Sequence, residues 1–134
     1  MSDLHKSNSL LRQTAMTIIE DNGTDERIKR KLIGYRNQDK KRRVSLPLVE
    51  ISCREICKLL QDSEFKCFYC GEIVSGGELL KRDPNQWTLD RIDNSKNHSI
   101  SNCVIACLQC NLARRTRDSE KYKQWRCVTI RKKC

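Results

Sequence analysis

The chain predicts an α+β fold, and three observations predict it. Before residue 64 apolar residues recur at helical spacing; beyond it short runs and turns take over; and two Cys-x2-Cys pairs, Cys67/Cys70 and Cys107/Cys110, bracket that second part. Two cysteines on a tight knuckle present two thiolates to one side of an ion, and a second pair completes a tetrahedral shell. A zinc-stapled module preceded by a helical N-terminal region is therefore expected, and residues 71–106 between the pairs are enough to form a small hairpin.

Each element has its own signal. From Ser9 to Glu20 a helix can align Leu11, Ala15, Ile18 and Ile19 on one face, and Asn22-Gly23 stops it. A second helix begins at Thr24, with Asp25 and Glu26 in its first turn, and runs through Ile28, Leu32, Ile33 and Tyr35. Its pattern fades in Arg36 to Arg43, which is either a frayed helix end or a linker. After the restart at Leu46-Pro-Leu48, Ser52 and Glu55 have the spacing of a capping box for a third helix carrying Ile56, Leu59 and Leu60. Phe65 to Gly71 forms a knuckle, Gly76-Gly77 a turn, Thr88 to Ile92 a strand, Asn102 to Ala106 a second strand, and a basic helix starts at Cys107. The expected organisation is a basic helical extension over 1–45, a connecting helix over 46–64 and the stapled module with its basic helix and tail over 65–134.

Composition narrows the function. The 134 residues carry a net charge of +10, with aromatic content of only 5%, so a metal staple substitutes for part of a hydrophobic core. Residues 1–45 hold eleven Lys/Arg against six Asp/Glu, residues 46–110 seven against nine, and residues 111–134 nine against two. Basic flanks around a mildly acidic middle suit a polyanion outside and a cation within, and the run Lys40, Lys41, Arg42, Arg43 is typical of nucleic-acid binders. No apolar run approaches the roughly twenty residues of a membrane span. The polar start, Met1 to Leu10, does not resemble a signal peptide, so the nine cysteines point to an intracellular, reducing compartment rather than to disulfides.

Leu89-Asp90-Arg91-Ile92-Asp93, followed by Asn102 and then Cys107-x2-Cys110-Asn111-x2-Arg114, resembles the HNH endonucleases, the zinc-stapled branch of the ββα-metal (His-Me finger) nucleases. The resemblance covers residues 65–118 and rests on four elements in order: the first Cys pair, a strand aspartate, a central asparagine, and the second Cys pair followed by Asn-x-x-Arg. Asp90 to Ser95 with His98 is similar to a subgroup common in phages and large viruses, and Tyr35-Arg-Asn-Gln-Asp39 is similar to their leader. It implies a ββα-metal, treble-clef-like module that cleaves DNA and leaves 5′-phosphate and 3′-hydroxyl ends. A virus-encoded enzyme of this kind would work in the host cytoplasm or nucleus, and its N-terminal helices could supply target recognition or a homodimer interface.

The chemistry asks for these residue types. Phosphodiester hydrolysis needs a divalent cation, an in-line water and positive groups on the strand. Asp90 and Asn111 match the positions that hold Mg2+ or Mn2+ in the family, and oxygen donors suit those ions. Asn102 matches the asparagine that braces the loop after the first strand. Arg114, Arg115 and Arg117 are expected along the basic helix as phosphate contacts, since guanidinium donates twice. Arg91 departs from the pattern: it stands where the family places its general-base histidine and cannot take a proton. Arg91 would act electrostatically while His98, Asp93 or Tyr69 serves as base; or water ionises without one; or the module only binds nucleic acid. Of the remaining cysteines, Cys53 and Cys57 are packing residues or a second metal pair, and Cys103 points into the hairpin core.

Overall fold

A computed structural model describes residues 2–19, 25–41, 51–76 and 82–133. Among them the order is α1 (Ser2–Ile19), α2 (Glu26–Lys41), α3 (Cys53–Asp62), β1 (Trp87–Arg91), a 3-10 turn (Ile100–Asn102), β2 (Cys103–Cys107), α4 (Leu108–Arg114) and α5 (Ser119–Lys133). The fold is small α+β, with β1 and β2 as one antiparallel hairpin in which Trp87 faces Cys107 and Asp90 faces Val104. The breaks expected at Asn22-Gly23 and Leu46-Pro-Leu48, and the second residue of Gly76-Gly77, lie outside the described residues.

The expected third helix starts where its cap says. The Ser52 side chain accepts from the Glu55 amide at 3.1 Å, and the Glu55 carboxylate accepts from the Ser52 amide at 2.9 Å. Both are orphan groups of a helix start, so the pair fixes its register. Ile56, Cys57 and Leu60 are buried and α3 packs on β2. Burial of such aliphatic side chains contributes about 1.5–3 kcal/mol each.

Three helix ends differ from the sequence expectation, the first being the start of α1, which lies at Ser2 instead of Ser9. α2 continues through the charged stretch to Lys41, because Asp39 is buried in an ion-paired cluster instead of fraying into water. Ile33, on the same helix, is 57% exposed. The basic helix after Cys107 is interrupted: α4 ends at Arg114, Arg115 adopts left-handed φ of 54°, and α5 begins only at Ser119. Arg115 and Arg117 therefore do not extend the helix that carries Arg114.

α2 runs alongside β1 in register. The Lys31 ammonium donates to the Trp87 carbonyl at 2.8 Å, the Leu89 amide donates to the Tyr35 hydroxyl at 3.0 Å, and Asp39 lies 3.7 Å from the Arg91 guanidinium. Four helical residues advance about 6 Å and two strand residues about 6.6 Å, so successive helical turns meet alternate strand positions. The core is continuous across these parts, joining Ala15, Ile28 and Leu32 to Ile56, Leu60, Trp87, Leu89, Ile105 and Tyr122.

Candidate functional site

The Cys67–Cys70 knuckle is a tight backbone loop. Cys67 N donates to Glu72 O, Gly71 N donates back to Cys67 O, and Gly71 takes the left-handed φ of 74° that a side chain would resist. Phe68 N donates to Ile105 O at 2.8 Å, tying the knuckle to β2. Cys107, the last residue of β2, is also the N-cap of α4, which brings in Cys110. The four sulfurs lie within 4.8 Å of one another, and Cys70 and Cys107 are 3.9 Å apart. Tetrahedral zinc with bonds of about 2.3 Å requires sulfur separations of about 3.8 Å, so the cluster fits a structural zinc ion. Hydrogen bonds from Cys107, Cys110 and Cys70 hold the Cys67 thiol well below its ordinary range, while sharing with Cys110, Cys67 and Cys70 pushes Cys107 up. Four such groups ionise together only around a cation. No second such group occurs among the described residues: Cys57 and Cys103 are buried packing residues, and burial pushes the Cys103 thiol up to about 12.

Beside this cluster is a cavity of about 910 Å³ between α2, β1 and α4. Asp90, Arg91, His98 and Asn111 line it, as do Lys31, Lys41 and Arg115; Asp90 is its one carboxylate among the described residues. One acid among four Lys/Arg leaves the wall with a net positive charge.

Asp90 is buried beneath hydrogen bonds that all reach one oxygen. Tyr69 donates its hydroxyl to Oδ2, and Arg114 Nη1 donates to the same atom at 2.7 Å. No described residue donates to Oδ1. Arg114 itself is 1% exposed, and three further N–H groups donate to the carbonyls of Arg91, Ile92 and Arg117. The expectation that Arg114 holds a phosphate is thus corrected: the guanidinium is spent inside the protein, orienting Asp90. Burial opposes the guanidinium's charge, but the hydrogen bond and charge of Asp90, together with Tyr69, outweigh burial and raise its already high pKa, so it stays charged. Tyr69, whose hydroxyl burial and Asp90 push upward, is likewise a donor and not a base.

Asn111 is oriented by Thr88. The Thr88 hydroxyl donates to Ala106 O at 2.7 Å, so its lone pairs accept, and Asn111 Nδ2 supplies the proton at 3.1 Å. Nδ2 also lies 3.5 Å from Leu89 O. The amide nitrogen is used toward the hairpin, which leaves the carboxamide oxygen to accept. Asp90 and Asn111 both line one cavity, and a carboxylate and a carboxamide are hard oxygen donors of the type that Mg2+ or Mn2+ takes while keeping most of its waters.

His98 is fixed by a residue the sequence did not single out as functional. Both oxygens of Asp39 grip it: Oδ2 accepts from the His98 backbone amide at 2.9 Å and Oδ1 lies 2.8 Å from Nδ1. With the proton on Nδ1, the Nε2 lone pair remains available, as in any carboxylate-oriented imidazole. Burial lowers the His98 pKa below 6.5, partly offset by Asp39, so the ring is neutral at pH 7. Arg91 is buried as well, and its Nη1 donates to Asn94 O and Lys96 O at 3.2 and 3.1 Å. It shapes the loop after β1. Asn102 braces the same loop, accepting from Asp93 N at 2.9 Å and donating to the carbonyls of Asp93 and Asn97 at 3.0 Å each. Asp93 caps that turn through Ser95 and does not line the cavity. Of the other basic residues, Lys41 and Arg115 face the cavity, Lys40 and Arg117 are exposed away from it, and Arg42 and Arg43 lie outside the described residues.

The chain matches no family model, no curated protein and no solved structure. No described helix is long and apolar enough to cross a membrane.

Proposed function

We propose that this chain is an HNH-type, metal-dependent DNA endonuclease built on a treble-clef-like ββα module, with structural zinc on Cys67, Cys70, Cys107 and Cys110. One observation carries the proposal: Asp90, Asn111 and an Asp39-backed His98 line one cavity whose remaining charge is positive. Mg2+ or Mn2+ held by Asp90 and Asn111 would neutralise charge building on the attacked phosphate. His98 Nε2 would take the proton from the attacking water, and Asp39 would stabilise the resulting imidazolium. Arg115 and Lys41 would draw the strand in. Supercoiled plasmid with zinc-loaded protein and Mg2+ or Mn2+ tests this: nicking that is lost in Asp90→Ala is expected. Equal conversion by wild type and Asp90→Ala would refute it.

Two features favour a second function, a zinc-stabilised nucleic-acid-binding module with little or no turnover. Arg91 stands at the family's base position, and Asp90 is already ion-paired to Arg114. That function predicts salt-sensitive DNA affinity that survives Asp90→Ala, with no nicking under any divalent ion.

A further inference from the structure

Lys31, Tyr35, Gln38 and Lys41 all line the cavity. Their spacing of four, three and three residues places them on a single stripe of α2. The middle of the stripe is anchored beside the candidate centre, since the Tyr35 hydroxyl accepts from Leu89 N and its ring lies 4.6 Å from that of His98. The parallel register of α2 and β1 fixes the two ends: Lys31 lies at the Trp87 end of the strand, and Lys41 lies beyond Asp39 at the Arg91 end. Asp90 falls between them along the strand.

We propose that Lys31 and Lys41 are substrate-positioning residues that bind phosphates of one strand on opposite sides of the phosphate facing Asp90. Ten helical residues span about 15 Å, which is close to about two phosphate-to-phosphate steps of one strand of B-form DNA, each about 7 Å once the axial rise of about 3.4 Å is combined with the helical rotation. The two ammonium groups therefore bracket a central phosphate with about one step to either side. Lys31 is suited to this by its immobilisation. Two of its three N–H groups donate to Gln86 Oε1 and Trp87 O at 3.0 and 2.8 Å, and its charge sits 4.8 Å from the Trp87 ring centre. One donor remains for the cavity, and little side-chain freedom is lost when a phosphate arrives. Its pKa, lowered by burial to about 8, leaves it cationic at pH 7. Lys41 is exposed and adds a mobile contact at the other end.

This inference rests on the proposed nuclease site, but its test is separable from that of cleavage. Zinc-loaded Lys41→Ala and Lys31→Met are compared with wild type for duplex-DNA affinity between 50 and about 300 mM salt, and for kcat and KM of plasmid nicking. Each variant should reduce the salt slope by about 0.9 and weaken affinity about eightfold at about 0.1 M salt, with KM raised and kcat little changed. Lys58→Ala, on the exposed side of α3, serves as the control and should change neither. Lys31→Arg should restore the slope, which a merely structural loss at Lys31 would not explain. Should Lys31→Met lose its zinc or its fold, Lys41→Ala decides alone, because that side chain is exposed. Wild-type nicking with an unchanged slope and KM in Lys41→Ala overturns the inference and leaves the nuclease standing. The expected slopes without nicking support the stripe and overturn the nuclease.

Discussion

Removing the His98 imidazole takes from the cavity the group best placed to accept a proton near neutrality, and removing Asp39 leaves that group without its orienting partner. His98→Ala should slow nicking by about 10²–10⁴ while DNA affinity stays within a few-fold, measured on supercoiled plasmid and by salt-matched binding. An unchanged rate would mean that water ionises without a dedicated base. The pH dependence has a definite sign. Because burial depresses His98 below 6.5, its neutral form is fully present above about pH 6.5 and is lost as pH falls through the lower folded value. The rate should therefore have an acid limb below pH 6.5. Asp39 acts in the opposite direction to burial, raising the His98 pKa, so Asp39→Asn should shift that limb to lower pH as well as lowering the plateau. The same depression makes stability fall as pH drops below 6.5, since the unfolded chain then binds the proton more readily. Arg114→Met should cost about 3–5 kcal/mol in denaturant unfolding, because it leaves the buried Asp90 carboxylate without its cation. A loss below about 1 kcal/mol would show that the pair is not structural.

At the scale of elements, the start of α3 offers the cleanest check. Ser52→Ala removes one half of the capping box and should destabilise the fold by about 1 kcal/mol without altering zinc content. That cap was legible because both partners lie within one turn, as was the knuckle, where the Cys67/Cys70 spacing dictates a tight loop. The hairpin was legible to within one residue at each end: Thr88 to Ile92 became Trp87–Arg91, and Asn102 to Ala106 became Cys103–Cys107. Asp39 was not recognised as functional, because in a stretch of Arg, Asn, Gln and Lys nothing local marks one carboxylate for burial. Its partner His98 lies 59 residues away. Arg114 was misjudged for the same reason. A basic residue next to Asn111 suits phosphate until the left-handed turn at Arg115 and the carbonyls of Arg91 and Ile92 are seen to absorb its donors. The four-cysteine cluster, by contrast, depends only on spacing and closure, and all four sulfurs meet as expected.

For the whole molecule, the four-cysteine cluster and the continuous core make one prediction together. Because the knuckle is tied to β2 and Cys107 caps α4, removal of the proposed zinc by a strong chelator should unfold the hairpin and α4 and expose Trp87, monitored by tryptophan fluorescence and far-UV circular dichroism. Cys67→Ser should lower bound zinc from one ion per chain toward none. The 111–134 segment holds nine Lys/Arg against two Asp/Glu, and among the described residues the cavity is lined by four Lys/Arg and one carboxylate, Asp90. The central claim is that this carboxylate and the Asn111 carboxamide share a second, oxygen-bound ion. Anomalous diffraction from crystals of zinc-loaded protein grown with Mn2+ tests it most directly. A manganese peak is expected about 2 Å from both Asp90 Oδ1 and Asn111 Oδ1, separate from a zinc peak among the four sulfurs. A zinc peak with no manganese between those two oxygens at saturating Mn2+ would contradict it.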